Sequence, residues 1–350
     1  SSIYLSSAPA SLRGRLVLPV VFVGCCISLL PLFVTGPTTA AVYDKFYSDV
    51  QDYWWAFVFN VRNMFRELTY GLHATTWYIS ADYQLFLVAL LVHQLKRKRI
   101  IITALVVLSI AGCSFTVWQM YGTRYSPVIV HMTETYEDYL NNLTDVYMLP
   151  TYHAVCYFSG CITFFVVDKF KNNKISKVAQ ASLWLVAIGL SAACTLYRFN
   201  WTNGTKHGDL AKMSLAFWDR ILYSFALAAF TFLCATERGG GVQRMLSAAP
   251  LAVLSRLSYG VYLIHFVFYI VSRTAAREKM YASVFCLLTE SIQVFVWSCL
   301  LSLVLFLACE APLGRLDKII WSAPRARKEE QHANGGREVE LAARHKDVPE

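Results

Sequence analysis

The sequence predicts an all-α fold, a polytopic integral membrane bundle with eight transmembrane helices. Three observations lead there. The 350-residue chain is 56% hydrophobic and 15% aromatic, with a mean hydropathy of +0.42, more apolar surface than a soluble domain of this length needs. Its apolar residues gather in blocks near the ~20 residues that a helix needs to cross a bilayer. Between the blocks, Lys and Arg are alternately abundant and sparse, as in loops on the two faces of a membrane. Lipid offers no partner to a backbone N–H or C=O, so the blocks are read as helices and not strands.

The first block, Leu16–Val34, is too long for a signal-peptide core and carries Pro19 and Pro31. Thr75–Leu95 follows and stops at the basic run Lys96–Arg99, after which Ile100–Met120 crosses back. Tyr152–Val167 ends before the lysines at 169–177, and Val178–Tyr197 and Ala216–Thr236 come next. The glycines at 239–241 form a turn without the Lys-Ser/Thr pair of a phosphate-binding loop. Leu251–Ser272 and Ala282–Cys309 complete the eight. With residues 1–15 in the cytosol, the cytosolic segments hold twice as many Lys and Arg as the opposite side. The acceptor patterns Asn142-Leu-Thr, Asn200-Trp-Thr and Asn203-Gly-Thr then all face outward, predicting N-glycosylation and a secretory-pathway or plasma membrane. Residues 319–350 are rich in charge and poor in aliphatics, and are expected to be a disordered cytosolic tail behind a membrane domain at 1–318. All ten cysteines fall in the apolar blocks, with neither an outer-loop disulfide framework nor zinc-ligand spacing, and no metal is expected. The chain opens on Ser-Ser, and residue 1 is read as a position inside a longer protein.

Ionisable residues inside such helices face a bundle interior or a wet cavity. At ~1.5 Å rise per residue, Asp82 and His265 both lie about 10 Å below the outer end of their blocks, and Glu290 about 12 Å. His153 and Tyr157 occupy the first turns of the fourth block. Asp219 and Arg220, one turn into the sixth, read as an interfacial pair. The shared depth predicts that Asp82, Tyr157 and His265 line one cavity. A buried carboxylate beside an imidazole suits proton transfer.

These residues also carry a resemblance. "TTWYISADYQLFL" (75–87) resembles the Trp-x-x-x-x-acid signature of the acyltransferase-3 family, at Trp77 and Asp82. "LSRLSYGVYLIHF" (254–266) is similar to its late Ser-Tyr-x-x-Tyr-Leu-x-His element, at Ser258, Tyr259, Tyr262, Leu263 and His265, and "CEAPLGRLDK" (309–318) to its closing Glu-x-Pro. "YWWAFVFNVRN" (53–63) and "TERGGGVQRMLS" (236–247) resemble the Trp-Trp loop and the Gly-rich inner loop of the animal branch, the nose resistant to fluoxetine proteins. The resemblance implies about ten membrane helices, with a catalytic histidine on a first helix, downstream of an arginine. Both would precede residue 1, so His265 is expected to support the site and no residue of this chain is assigned as the catalytic base. Two departures stand out. Where the family often has Arg-x-x-x-Tyr-x-x-Gly, this chain has His153, Tyr157 and Gly160, and the animal branch's cysteine pair near residues 53 and 75 is absent.

The implied activity is acyl transfer from acyl-coenzyme A to a hydroxyl or amine acceptor, a small molecule or a lipid. Trp77, Asp82, His153, Tyr157, Ser258, Tyr259, Tyr262, His265 and Glu290 would support that site. Membrane lipids are the expected surroundings, no cofactor is expected to stay bound, and no nucleic acid is expected as a partner. Two other readings stand beside it: a non-enzymatic carrier for lipids or hydrophobic drugs, and a non-catalytic remnant with a structural role.

Overall fold

The computed structural model of the protein describes residues 17–316, apart from 70, 130–134, 203–207, 279–280 and 282. Every regular element among the described residues is helical. In chain order these are α1 (Val17–Leu32), α2 (Thr39–Val58), α3 (Trp77–His93), α4 (Lys98–Met120), α5 (Tyr136–Asn142), α6 (Pro150–Phe170), α7 (Lys177–Thr202), α8 (Asp209–Ala235), α9 (Gly240–Leu246), α10 (Ala249–Ala275) and α11 (Val284–Leu305). Seven of them are long and apolar enough to cross a membrane: α3 (with the turn before it, from Ala74), α4, α6, α7, α8, α10 and α11, the last continuing to Leu316. Their starts follow local chemistry. Pro150 and Pro250 occupy first turns, where a missing N–H costs nothing. Ser283 caps α11 by accepting a hydrogen bond from the Cys286 N–H at 3.1 Å.

The first expected crossing differs. Among the described residues α1 ends at Leu32 in a tight turn at Pro31, short of the length of the seven others. The charged tail and Asn203 lie outside the described residues, as does Ala282, so the last block begins at Val284.

Helix α2 was not expected. It carries Asp44, Lys45, Asp49 and Asp52 among apolar residues, so its mean hydropathy hides it, while Tyr43 and Phe46 are buried. The segment read as a Trp-Trp loop is therefore corrected. Trp54 and Trp55 sit on the last turns of α2, and the chain leaves the helix at Asn60, in the left-handed region at φ 54°. Three single turns (Arg62–Met64, Arg66–Thr69 and Ala74–Thr76) then carry it into α3.

The helices fall into two packed groups, α4, α6, α7 and α8 on one side and α1, α2, α10 and α11 on the other. Helix α3 joins them. Its Leu85 is buried with Ile101, Leu105, Ala154 and Phe158 of the first group, and its Ile79 with Leu263, Leu305 and Cys309 of the second. Small residues let helices close up: a Cβ on Gly112 would lie 2.8 Å from the Thr151 carbonyl, and one on Gly260 2.3 Å from Ser302 Oγ.

Candidate functional site

The first two turns of α3 lie where the two groups meet, and the site grows from them. The turn Ala74–Thr76 before α3 is held from below by Arg62, 2% exposed, which donates to the Ala74 carbonyl at 2.8 Å and to the Leu68 carbonyl. Asn63 and Gln84 exchange amide hydrogen bonds at 3.2 and 2.9 Å, tying that segment to α3 itself. From α10, the Tyr262 hydroxyl donates to the Thr75 carbonyl. The start of α3 is thus fixed by both neighbours before any ligand arrives.

Trp77 packs against Tyr147 and His153, with ring centres 5.0 and 5.4 Å away. His153 Nε2 bonds the Tyr147 carbonyl at 2.8 Å, which orients the ring and leaves Nδ1 as its other nitrogen. Tyr78 is the hub. Its ring lies 5.8 Å from Tyr262, 6.3 Å from His153 and 5.7 Å from Trp77, and Asp82 one turn later is within electrostatic reach of both Tyr78 and Tyr157. Tyr262 in turn lies 5.9 Å from His265. Trp77, Asp82, His153, Tyr157, Tyr262 and His265 are therefore brought into one aromatic and polar cluster, from α3, α6 and α10.

The expected adjacency of carboxylate and imidazole is corrected. His265 Nδ1 bonds its own helix, at 2.8 Å from the Tyr262 carbonyl, and its ring meets that of Tyr262, which in turn meets Tyr78, with no contact to Asp82 among the described residues. Asp82 itself makes no hydrogen bond or ion pair among the described residues, although it is half-buried and a full turn inside an apolar helix. Such a carboxylate lacks the partner that an intramembrane acid normally finds.

Three other assignments also change. Ser258 is exposed and donates to the Ser255 carbonyl of its own helix at 2.8 Å, so it turns away from the cluster. Glu290 pairs with Arg273 of α10 and fastens α11 there. Tyr259 packs a turn away, against the Ile79, Leu263 and Leu305 core and beside Glu310. Asn142 is fully buried, and its amide nitrogen, where a glycan would attach, donates to the Ser126 carbonyl at 2.9 Å. A glycan at Asn142 and this packing exclude each other. Asn200 falls on the last turn of α7.

Sequence reasoning missed Tyr78 and misread Arg220. Asp219 does not pair with its neighbour: Arg198 of α7 grips it with two forked bonds, at 2.9 and 2.6 Å. Arg220 instead lies on the ring of Tyr152 and donates to that residue's carbonyl at 3.0 Å, beside His153. A cation thus reaches the start of α6 from α8. Adjacent residues on a helix point about 100° apart, and that alone argued against an Asp219–Arg220 pair.

Two comparisons bear on this arrangement. A family description, the acyltransferase domain Acyl_transf_3, matches residues 14–311. The protein named Nose resistant to fluoxetine protein 6 of Caenorhabditis elegans is 22% identical over 295 residues, which cover 78% of this chain and 35% of the relative. The chain thus spans about a third of the length of that relative. No solved structure matches significantly.

Proposed function

The chain belongs to the acyltransferase-3 family of membrane proteins, and from that premise we propose that the complete protein transfers an acyl group from acyl-coenzyme A to a hydroxyl or amine acceptor at the membrane. The observation that carries the reading is Asp82, an unpartnered carboxylate among Tyr78, Tyr157 and the aromatic pair Trp77 and His153. In the reaction the acceptor oxygen or nitrogen bonds to the acyl carbon, the thioester C–S bond breaks, and the acceptor's proton ends on the leaving thiolate. Asp82 holds the acceptor's donor group or its proton in place, and the rings of Tyr78 and Tyr262 lead from it to His265, which supports the site and is not its base. Arg220 supplies, from α8, a cation beside His153 at the start of α6, held by the ring and carbonyl of Tyr152. Residues 319–350 lie in the cytosol, and the membrane is that of the secretory pathway or the cell surface.

A second reading, a carrier without chemistry, is favoured by a different observation. A groove of about 1210 Å³ lies between α4, α6, α7 and α8, walled by side chains such as Val106, Ile162, Phe217 and Phe225, with Lys174 at one end. It has room for an acyl chain in the enzyme, or for an apolar cargo such as the relative's name suggests. The experiment that separates the two is transfer of labelled acyl groups from coenzyme A, in membranes holding the complete protein at matched expression. Asp82→Asn keeps the shape but cannot accept a proton, so transfer should fall about 100-fold or more. His265→Gln should cost less than ~10-fold, because it acts through Tyr262. Wild-type transfer in Asp82→Asn would remove Asp82 from the site. Uptake without acylated product in every variant would establish the carrier.

A further inference from the structure

The groove between α4, α6, α7 and α8 is apolar along its length and charged at one end. At about 1210 Å³ it exceeds the ~300–1,000 Å³ of most ligand pockets. From Phe217 to Phe232 it follows α8 for ~22 Å, more than the half of a ~30 Å hydrocarbon core that one lipid tail fills. Four of its hydroxyls are already engaged. Ser109, Ser159 and Thr163 donate to carbonyls of their own helices at 2.7–2.9 Å, and Ser224 donates to Cys156 Sγ at 3.1 Å. The long walls therefore offer hydrocarbon to an occupant, and neither Asp nor Glu is among the described residues that line them.

The charged end is Lys174, beside Asn173 in the loop from α6 to α7. That loop is held in place. Arg238, just past α8, donates to the carbonyls of Phe170 and Asn173, and Gln180 of α7 donates to the Arg238 carbonyl at 2.8 Å. Lys98 and Lys171 nearby share Asp168, at 3.6 and 3.1 Å, whereas Lys174 is exposed and makes no ion pair among the described residues. This end thus has a cation to offer an anionic head. Two further observations narrow the occupant. Val106, Ile110, Trp218 and Phe225 line the groove and are exposed, so its flank opens sideways and an occupant enters from the bilayer. Along α6, Tyr157 stands ~20 Å before Phe170, so a head group at Lys174 stays clear of the Tyr78 cluster. A thioester there would not reach Asp82, and the groove suits a resident lipid better than a reacting donor.

We propose that this groove binds an anionic phospholipid of the surrounding leaflet, with one tail along α8 and the phosphate at Lys174. The inference goes beyond acyl transfer, since no residue of the Tyr78 cluster takes part. The test is photolabelling of the full chain in phosphatidylcholine nanodiscs that contain a small share of phosphatidylserine with a diazirine midway along one tail. Labelled peptides, mapped by mass spectrometry, should include groove residues such as Ile162, Ile221 and Phe225. A phosphatidylserine probe should label these about fivefold more than a phosphatidylcholine probe with the same tails, the effect of one lysine near a lipid surface. Lys174→Gln should keep the labelled positions and remove that preference, and Lys174→Arg should retain it. Arg244→Gln removes an exposed cation of α9 outside the groove and should leave the preference unchanged. Ser182→Trp with Ala228→Phe adds two rings to the groove from α7 and α8 and should abolish labelling there. Unfolding midpoints of the variants establish that they fold. Labelling confined to other positions, labelling unchanged in the doubly filled variant, equal labelling by the two probes, or a preference that survives Lys174→Gln would overturn the proposal. Stronger competition by a long-chain fatty acid than by unlabelled phosphatidylserine would overturn the phospholipid assignment.

Discussion

Asp49, Arg62 and His73 concentrate three ionisable groups where water scarcely reaches, each 2–6% exposed. Burial lowers the Arg62 guanidinium to about 9, so it stays charged at neutral pH. Burial likewise lowers His73 to about 4, with the Arg62 charge adding to the effect against the pull of Asp49, and keeps the ring neutral. Burial pushes the Asp49 carboxyl up, but His73 and Lys45 more than offset it and hold it below the ordinary range. The stability consequence has one sign. Between pH 6.5 and about 4 the unfolded chain protonates His73 and the folded chain does not, so stability is full above 6.5 and drains as pH falls towards 4. Asp49 adds a loss of the same sign at lower pH. The unfolding midpoint of the purified protein should fall between pH 7 and pH 5, with a ceiling of about 3 kcal/mol for the full His73 shift. His73→Phe should flatten that profile. A midpoint that rises on acidification would contradict the burial of a neutral His73. None of this was legible in the sequence, because residues 49, 62 and 73 belong to no shared pattern and meet only through the turns after α2.

At the scale of elements, apolar length announced α3, α4, α6, α7, α8, α10 and α11, since a crossing helix has to be apolar on nearly every side. Amphipathic α2 gave no such signal. The contact between α10 and α11 depends on Gly260, where a Cβ would lie 2.3 Å from Ser302 Oγ, itself bonded to the Leu257 carbonyl at 2.7 Å. Gly260→Ala should therefore destabilise by about 1–3 kcal/mol through overpacking. Adding Ser302→Gly should recover most of that loss, because the two nearest obstructing atoms, Oγ and Cβ, belong to that side chain. Thermal unfolding of the single and double variants measures both terms, and additive losses would show that the two residues do not meet.

Across the whole molecule, α3 carries the organisation: it is buried on one side by α4 and α6 and on the other by α10 and α11. The candidate site lies on that seam, with Arg198–Asp219 and Arg273–Glu290 each fastening a helix pair at the end where α3 starts. The proposed orientation puts this end outside the cytosol, and glycosylation tests it. Glycosidase should shift the mobility of the expressed protein, Asn200→Gln with Asn203→Gln should abolish the shift, and Asn142→Gln should leave it unchanged because Asn142 is sealed inside. A shift lost with Asn142→Gln would mean that the segment packs differently, and a tail tag reached from outside intact cells would invert the orientation.

The sequence by itself determined the class of the molecule, the extents of its seven crossing helices to within about seven residues at either end, and that Asp82 and His265 are out of place in lipid. These are one-dimensional properties: apolar length and an ionisable residue inside it are visible without knowing any neighbour. Only the tertiary structure decided which polar residues meet. It placed Tyr78 between Asp82 and Tyr262, turned Ser258 outward, gave Asp219 to Arg198 and Arg220 to Tyr152, and buried Asn142. Each of those outcomes depends on how far a helix is rotated about its axis and on which helix stands beside it. With 3.6 residues to a turn, neighbouring residues face different partners, and the choice between partners is made by packing across 21 to 187 positions of chain.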